Sequence, residues 1–235
     1  MFVWALLMRK KEDVRKRFEE HAEEIQQLAR MSFYENILST LIEKGELKPG
    51  ENVLDAGSGP GWLAIKAARR VGENGKVFGI DITPGMLKRA IHNASAEGVS
   101  RICEFREGSA LEIPFSNETF DLVLSNFMLH ALSEDEKQVA ISEFYRVLKP
   151  YGRAVVCDVV PSEDAEETLA EWSKRFPAVE RGIVRHIAGH LREWNLTSSG
   201  KLLGMFGLAG FKAIERIEEP EKIPPLLCIV KAAKQ

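Results

Sequence analysis

The stretch VLDAGSGPGW, Val53 to Trp62, sets three glycines at alternate positions directly behind an apolar run. An apolar run entering a glycine-rich turn is how a buried strand passes into a helix in α/β proteins, with the turn free to approach a ligand. The spacing decides between ligands. A dinucleotide turn reads G-x-G-x-x-G, its third glycine letting the helix pack on the strand. Here Gly57, Gly59 and Gly61 give G-x-G-x-G, and Trp62 occupies the place of that third glycine. An indole there argues against a dinucleotide. No Gly-Lys-Ser/Thr follows, so a phosphate-cradling loop of the Walker A kind is also excluded. The three glycines alone are also compatible with a plain tight turn.

Outward from that turn, short β-rich runs alternate with helical patterns, which predicts a doubly wound, mostly parallel α/β sheet. The strands are expected at NVLDA, KVFGID, CEFRE, FDLVLS and GRAVVCDV, with helices over Gly61 to Arg70, Pro84 to Glu97 and Glu134 to Leu148. KAIERIE and LLCIVKAA, joined by the proline-rich EPEKIPP, predict a C-terminal antiparallel hairpin. Upstream, Val14, Phe18, His21, Ile25 and Leu28 share one stripe of an amphipathic helix, and a second helix runs from Phe33 to Lys44. The expected organisation is an N-terminal helical cap over 1–44 and a domain over 45–235, with a helical insertion at about 161–199.

The composition sets limits. A chain of 235 residues with 45% hydrophobic residues can bury one sizeable core. A formal net charge of -3 supplies no basic field for nucleic acid, so a nucleic-acid partner is disfavoured. Cys103, Cys157 and Cys228 are far apart, each within an apolar run, and lack metal or redox spacing. They fit reduced thiols in a cytoplasmic protein. The leading MFVWALLM is too short to span a membrane and lacks the flanks of an export signal.

Around the glycine turn, the motifs D-A-G-S-G-P-G at Asp55 to Gly61, G-I-D-I-T at Gly79 to Thr83, L-E-I-P-F at Leu111 to Phe115 and V-L-K-P at Val147 to Pro150 together resemble those of class I S-adenosylmethionine-dependent methyltransferases. The ubiquinone and menaquinone biosynthesis group is the most similar in pattern. The resemblance implies a Rossmann-like seven-stranded sheet with N-terminal lid helices, and S-adenosylmethionine as cofactor with S-adenosylhomocysteine as product. It implies that Asp55, Gly57, Ser58, Gly59, Pro60 and Gly61 hold the methionine portion. Asp81, ending the second strand 20 positions beyond Gly61, is expected to accept from the ribose hydroxyls. Ile82 and Met86 are expected against the adenine, although core packing would also account for Met86. The family usually carries Gly-Asp-Ala before the Leu-x-x-Pro-Phe pattern; this chain has Gly108, Ser109 and Ala110. Ser109, Ala110 and Leu111 are still expected at the adenine edge, the hydroxyl accepting from the amino group. Tyr151 replaces a usual glycine after Leu148-Lys149-Pro150, a departure expected to affect turn geometry.

The acceptor is expected beyond the carboxyl ends of the strands, where FDLVLSN releases Ser125 and Asn126. Asn126 is assigned to the cofactor. The segment SNFM lacks the prolines and aromatic of base methylation. His130, four positions on, is the titratable candidate for a catalytic base, and its apolar neighbours also allow a packed core histidine. Tyr34, Trp172, Phe176, His186 and Trp194 are candidates for an acceptor pocket, although Trp172 and Phe176 also suit ordinary core. His186 and His190 have i, i+4 spacing without a third ligand, so no metal site is expected. Methyl transfer to a small-molecule acceptor by in-line displacement is the favoured activity. A protein or RNA methyltransferase, or a noncatalytic cofactor-binding partner, are the alternatives.

Overall fold

Val53 and Leu54 are neighbours in the chain, both fully buried, and belong to different cores. Successive strand side chains point to opposite faces, so an unbroken apolar run needs cover on both sides. That is the situation of β1 (Asn52–Ala56) at the centre of the molecule. The computed structural model describes residues 31–161, 165–174, 194–219 and 221–235, together with 12, 15, 16 and 19. The leading apolar segment, the stripe from Val14 to Leu28, and Phe176, His186 and His190 lie outside the described residues.

The sheet also contains β2 (Lys76–Asp81), β3 (Cys103–Glu107), β4 (Phe120–Asn126), β5 (Leu148–Val159), β6 (Lys212–Ile217) and β7 (Leu227–Ala233). Its seven strands are ordered β3-β2-β1-β4-β5-β7-β6. The first five run parallel, while β7 inserts antiparallel between β5 and β6. This is the expected Rossmann-like methyltransferase topology with its terminal antiparallel pair.

Helices cover both faces. On the Val53 side lie α1 (Ser32–Gly45), α2 (Trp62–Val71) and α3 (Pro84–Ala96), contributing Ile37, Leu41, Leu63, Ile65 and Ala94 to that core. On the Leu54 side lies α4 (Glu134–Val147), with Ile141 and Phe144. The short α5 (Ala165–Ser173) adds Leu169 and Trp172 to the first core, and α6 (Ser199–Leu208) adds Leu202 and Phe206 to the second. α4 starts in a capping box, Ser133 accepting from the Glu136 N–H while the Glu136 carboxylate accepts from the Ser133 N–H. No helix among the described residues is long and apolar enough to cross a membrane.

Several element ends shift by a residue from the sequence expectation, and two boundaries shift for a visible local reason. α2 begins at Trp62, because Gly61 takes the left-handed conformation (φ 86°) that caps the helix. β5 begins at Leu148 rather than Gly152, because Leu148 pairs with Phe120 before the register shifts. Tyr151 sits in the intervening turn at φ 64°, in the left-handed region where a glycine would be unstrained. Its side chain is 85% exposed, so the glycine-to-tyrosine departure falls on the turn. The turn is anchored by Lys149, whose ammonium donates to both Asp121 oxygens at 2.9 Å.

Candidate functional site

In an open parallel sheet, a crevice forms at the carboxyl ends where strand order reverses. Here the order reverses between β1 and β4, so the loops following β1, β2 and β4 converge. The glycine loop follows β1. The Gly57 and Ser58 N–H groups both donate to the Ile80 carbonyl at 2.9 Å, tying the loop to β2. Asn93 of α3 fixes it from below by donating to the Pro60 carbonyl at 2.9 Å.

The glycines divide the work. A Cβ on Gly57 would lie 2.4 Å from Met128 Cγ, so the segment after β4 rests directly on this loop. A Cβ on Gly61 would lie 2.9 Å from both Ala90 and Phe105, so Gly61 serves the packing of α2 against α3 and β3. Gly59, at φ 50°, meets nothing within 4 Å. Its bare backbone is the part of the loop left open to a ligand.

Both acidic residues are engaged by backbone. Asp55 points to the α2 side of β1, where Oδ2 accepts from the Ala64 N–H at 3.0 Å in the first turn of the helix. Burial pushes its carboxyl up to about 7; the Ala64 bond opposes this and the nearby Asp81 charge adds to it. Asp81 at the end of β2 accepts from the Gly59 N–H through Oδ2 and from the Thr83 N–H through Oδ1, both at 2.9 Å. Burial likewise raises its carboxyl, against the pull of these N–H groups. Asp81 thus ties the open glycine to the start of α3, with lone pairs remaining on each oxygen. Ile82 follows, half-buried, and Met86 is buried.

The segment after β3 carries the chain's departure from the family pattern. The Ser109 hydroxyl oxygen accepts from the Leu111 N–H at 3.2 Å, and its backbone bridges to Glu112. Ala110 and Leu111 pack against the second core. Two α4 residues that the sequence reading missed hold this segment. Glu143 accepts from the Ile113 N–H, and the Arg146 guanidinium donates to the carbonyls of Ile113 and Phe115. Glu143 and Arg146 pair with each other at 2.6 Å. Their i, i+3 spacing was visible in SEFYRV, but the target was not.

Across the crevice, β4 alternation separates two neighbours. Ser125 turns into the sheet and donates to the Ala56 carbonyl at 2.8 Å, which removes it from the crevice. Asn126 turns toward α1, where its Nδ2 donates to the Tyr34 hydroxyl at 3.4 Å. Burial, with a contribution from the Asp55 charge, pushes the Tyr34 phenol well above its usual range. Phe127 stacks on Tyr34 with centroids 6.2 Å apart and is held at φ 55°. A left-handed phenylalanine is strained backbone of the kind found at binding sites.

His130 follows in a single 3₁₀ turn, Leu129–Ala131. It is buried, with Nδ1 2.9 Å from Asp158 Oδ1 and its backbone N–H donating to Asp158 Oδ2 at 3.1 Å. Trp194 stacks on the imidazole, with centroids 4.3 Å apart and planes 27° from parallel. The structure therefore brings His130 and Trp194 together. Trp172 instead packs in the core, edge-on to Phe33 at 6.0 Å. Asp158 was missed, although VVCD carries the same signal as GID, an acid ending an apolar strand.

The site fits S-adenosylmethionine. Gly59 offers bare backbone beside the carboxylate of Asp81, and Ser58 Oγ and Asn126 Oδ1 are buried polar atoms without a hydrogen-bond partner among the described residues. Among those residues, no cluster of three metal-ligating groups occurs. Arg15 lies 3.8 Å from Glu107, and Glu19 lies against Gly85 at the start of α3, so these two side chains reach this side of the crevice.

Fold and site define a class I methyltransferase architecture. A methyltransferase-domain family model matches residues 47–210, and the chain belongs to that family, whose cofactor is S-adenosylmethionine. The chain is 40% identical over 114 residues to an arsenite methyltransferase of Halobacterium salinarum, covering 48% of this chain and 28% of that one. It is 38% identical over 146 residues to a ubiquinone/menaquinone biosynthesis C-methyltransferase of Escherichia fergusonii, covering 62% and 55%. The match thus spans about half the length of these curated relatives, or less. The crystal structure of a SAM dependent methyltransferase from Aquifex aeolicus superimposes with a TM-score of 0.63 at 21% identity, over 96% of this chain and 98% of that one, a likeness of fold.

Proposed function

We propose that this chain transfers a methyl group from S-adenosylmethionine to a small aromatic acceptor of the quinone type, in its reduced form. The observation that carries this reading is the acceptor side of the crevice. Tyr34 bonds Asn126 and stacks on Phe127, and Trp194 stacks on His130, aromatic side chains with few directing groups, as suits a flat ring. The similarity to a quinone-biosynthesis enzyme over the larger share of the chain agrees with it.

The arsenite reading is less well served. A soft metalloid calls for thiolate ligands, whereas Cys157 and Cys228 are buried in opposite cores and Cys103 lies on β3 beside α2. Burial pushes all three thiols upward, away from thiolate.

In this reading Gly57 to Gly61 and Asp55 hold the methionine portion, Asp81 the ribose, and Ile82, Met86, Ser109, Ala110 and Leu111 the adenine. The cofactor supplies a methyl group already activated as a sulfonium, whose carbon–sulfur bond breaks with its electron pair going to sulfur. The residues of this chain place the acceptor in line and exclude water. Titration calorimetry with S-adenosylmethionine, followed by methyl transfer to short-chain 1,4-naphthohydroquinone, arsenite, RNA and protein, tests the reading. Cofactor binding with methylation of the hydroquinone supports it. Methylation of arsenite or a macromolecule alone, or binding with no transfer, overturns it.

A further inference from the structure

We propose that Asp158 is a positioning residue that fixes His130 with its proton on Nδ1, so that Nε2 takes a proton from the acceptor. This rests on the small-acceptor reading and narrows it to acceptors that must lose a proton on methylation, such as a hydroquinone hydroxyl.

The hydrogen-bond directions assign the tautomer. Asp158 Oδ1 accepts from the Val159 N–H at 2.7 Å, and Oδ2 accepts from the His130 N–H at 3.1 Å. Both oxygens thus face backbone donors, the surroundings of an ionised carboxylate. An ionised carboxylate only accepts, so the third contact, 2.9 Å to His130 Nδ1, requires the ring proton on Nδ1. Nε2 is then the basic nitrogen, and among the described residues none bonds it.

The ring is also fixed in plane. Trp194 covers one face, and its neighbour Asn195 donates from its backbone to the His130 carbonyl at 3.0 Å. That segment is fastened by Lys137 of α4, a buried lysine whose ammonium donates to the Asn195 carbonyl and to the Thr197 hydroxyl. Among the described residues the charged groups are Asp158 from β5, bonded to the ring, and Lys137 from α4, which lies in the Asp158 field. Met128, two residues before His130, touches Gly57, so the ring belongs to the segment that closes on the cofactor loop.

The proton balance is simple. For methylation at oxygen, the acceptor O–H proton passes to Nε2 as an oxygen electron pair forms the bond to the methyl carbon; for methylation at a ring carbon, the O–H proton passes to Nε2 as that carbon bonds the methyl, and the carbon then loses its own hydrogen as the hydroxyl is restored. The resulting imidazolium shares its charge with Asp158, and the proton later leaves to water. A neutral thioether or an acceptor already ionised would need no such base.

The test uses the full chain with ¹⁵N-labelled histidine and the Asp158→Asn variant. Ring nitrogen shifts in the cofactor-free protein should show His130 as the Nδ1–H tautomer in wild type. In the variant the amide N–H₂ can donate to Nδ1 and favour Nε2–H. With 1,4-naphthohydroquinone as probe, kcat should fall on the order of 100-fold and KM for the cofactor should hold. Asp158→Glu should retain the Nδ1–H tautomer. An Nε2–H tautomer in wild type overturns the proposal, and that measurement stands even where a variant fails to fold. An Asp158→Asn variant with unchanged tautomer and unchanged kcat overturns it too. Where the tautomer responds as expected and the hydroquinone is not methylated, the positioning role is supported and the acceptor reading fails.

Discussion

The two sides of the crevice are built differently. The cofactor side is made of backbone: the Gly57 to Gly61 loop and the segment after β3 are held by N–H and carbonyl contacts to Ile80, Asp81 and Arg146. The proposed acceptor side is made of side chains from separate parts of the chain, Tyr34 from α1, His130 beyond β4, Asp158 from β5 and Trp194 far along, with Asn126 of β4 at the boundary between the two sides. A backbone cradle depends on glycine and turn spacing, which is local. A side-chain wall can be re-aimed by single substitutions while the cradle stands, so one cofactor fold can serve many acceptors.

The largest expected effect lies at the hinge of the cofactor side. Asp81→Ala leaves the Gly59 and Thr83 N–H groups without their carboxylate partner and removes the proposed ribose acceptor. Two charge-assisted bonds at about 1.5 kcal/mol each give a loss of S-adenosylmethionine affinity on the order of 100-fold. Calorimetry checks this, and unchanged affinity would remove Asp81 from the binding surface.

Asp55 should betray itself through pH. Its folded carboxyl, at about 7, lies above the ordinary carboxylate value of 3.8, so the folded state binds more protons between those limits. Its contribution therefore favours the fold below about pH 4, declines as pH rises, and reaches its full cost, on the order of a few kcal/mol, above about pH 7. Asp55→Asn should stabilise the cofactor-free protein more at pH 8 than at pH 5 in paired urea denaturations. A pH-independent difference would show that this carboxylate does not titrate as a buried acid.

The glycines offer a sharper split. Gly61→Ala meets Ala90 and Phe105 and should lower stability by about 1 to 3 kcal/mol. Gly59→Ala faces open space and should cost only about 1 kcal/mol for its positive φ, yet weaken cofactor binding several-fold. Thermal melts alongside calorimetry separate the two. Equal effects on binding at equal stability would break the division of labour.

Smallest is Tyr34→Phe. It removes one long hydrogen bond to Asn126, worth about 0.5 to 1 kcal/mol, and should raise KM for the acceptor two- to fivefold while leaving the cofactor KM alone. A change in cofactor KM instead would assign Tyr34 to the other side.

Read alone, the sequence located the strands, the glycine turn, the acid at 81 and the C-terminal antiparallel pair. Each is a local pattern, a period of two, a run between turns, or a fixed number of positions, and such patterns survive translation into three dimensions. It could not distribute the three glycines among roles, because what a Cβ would strike is Met128 for one and Ala90 and Phe105 for another. It singled out His130 without its partner. Asp158 lies 28 positions away, and only the parallel pairing of β4 with β5, Asn126 opposite Cys157, brings the two together. The same holds for Trp194 on the imidazole and Lys137 behind it. Local chemistry wrote the glycine loop and the acid at 81 into contiguous sequence; the His130 cluster with Asp158 and Trp194 exists only once the sheet has folded, since its contacts join residues that no short-range pattern relates.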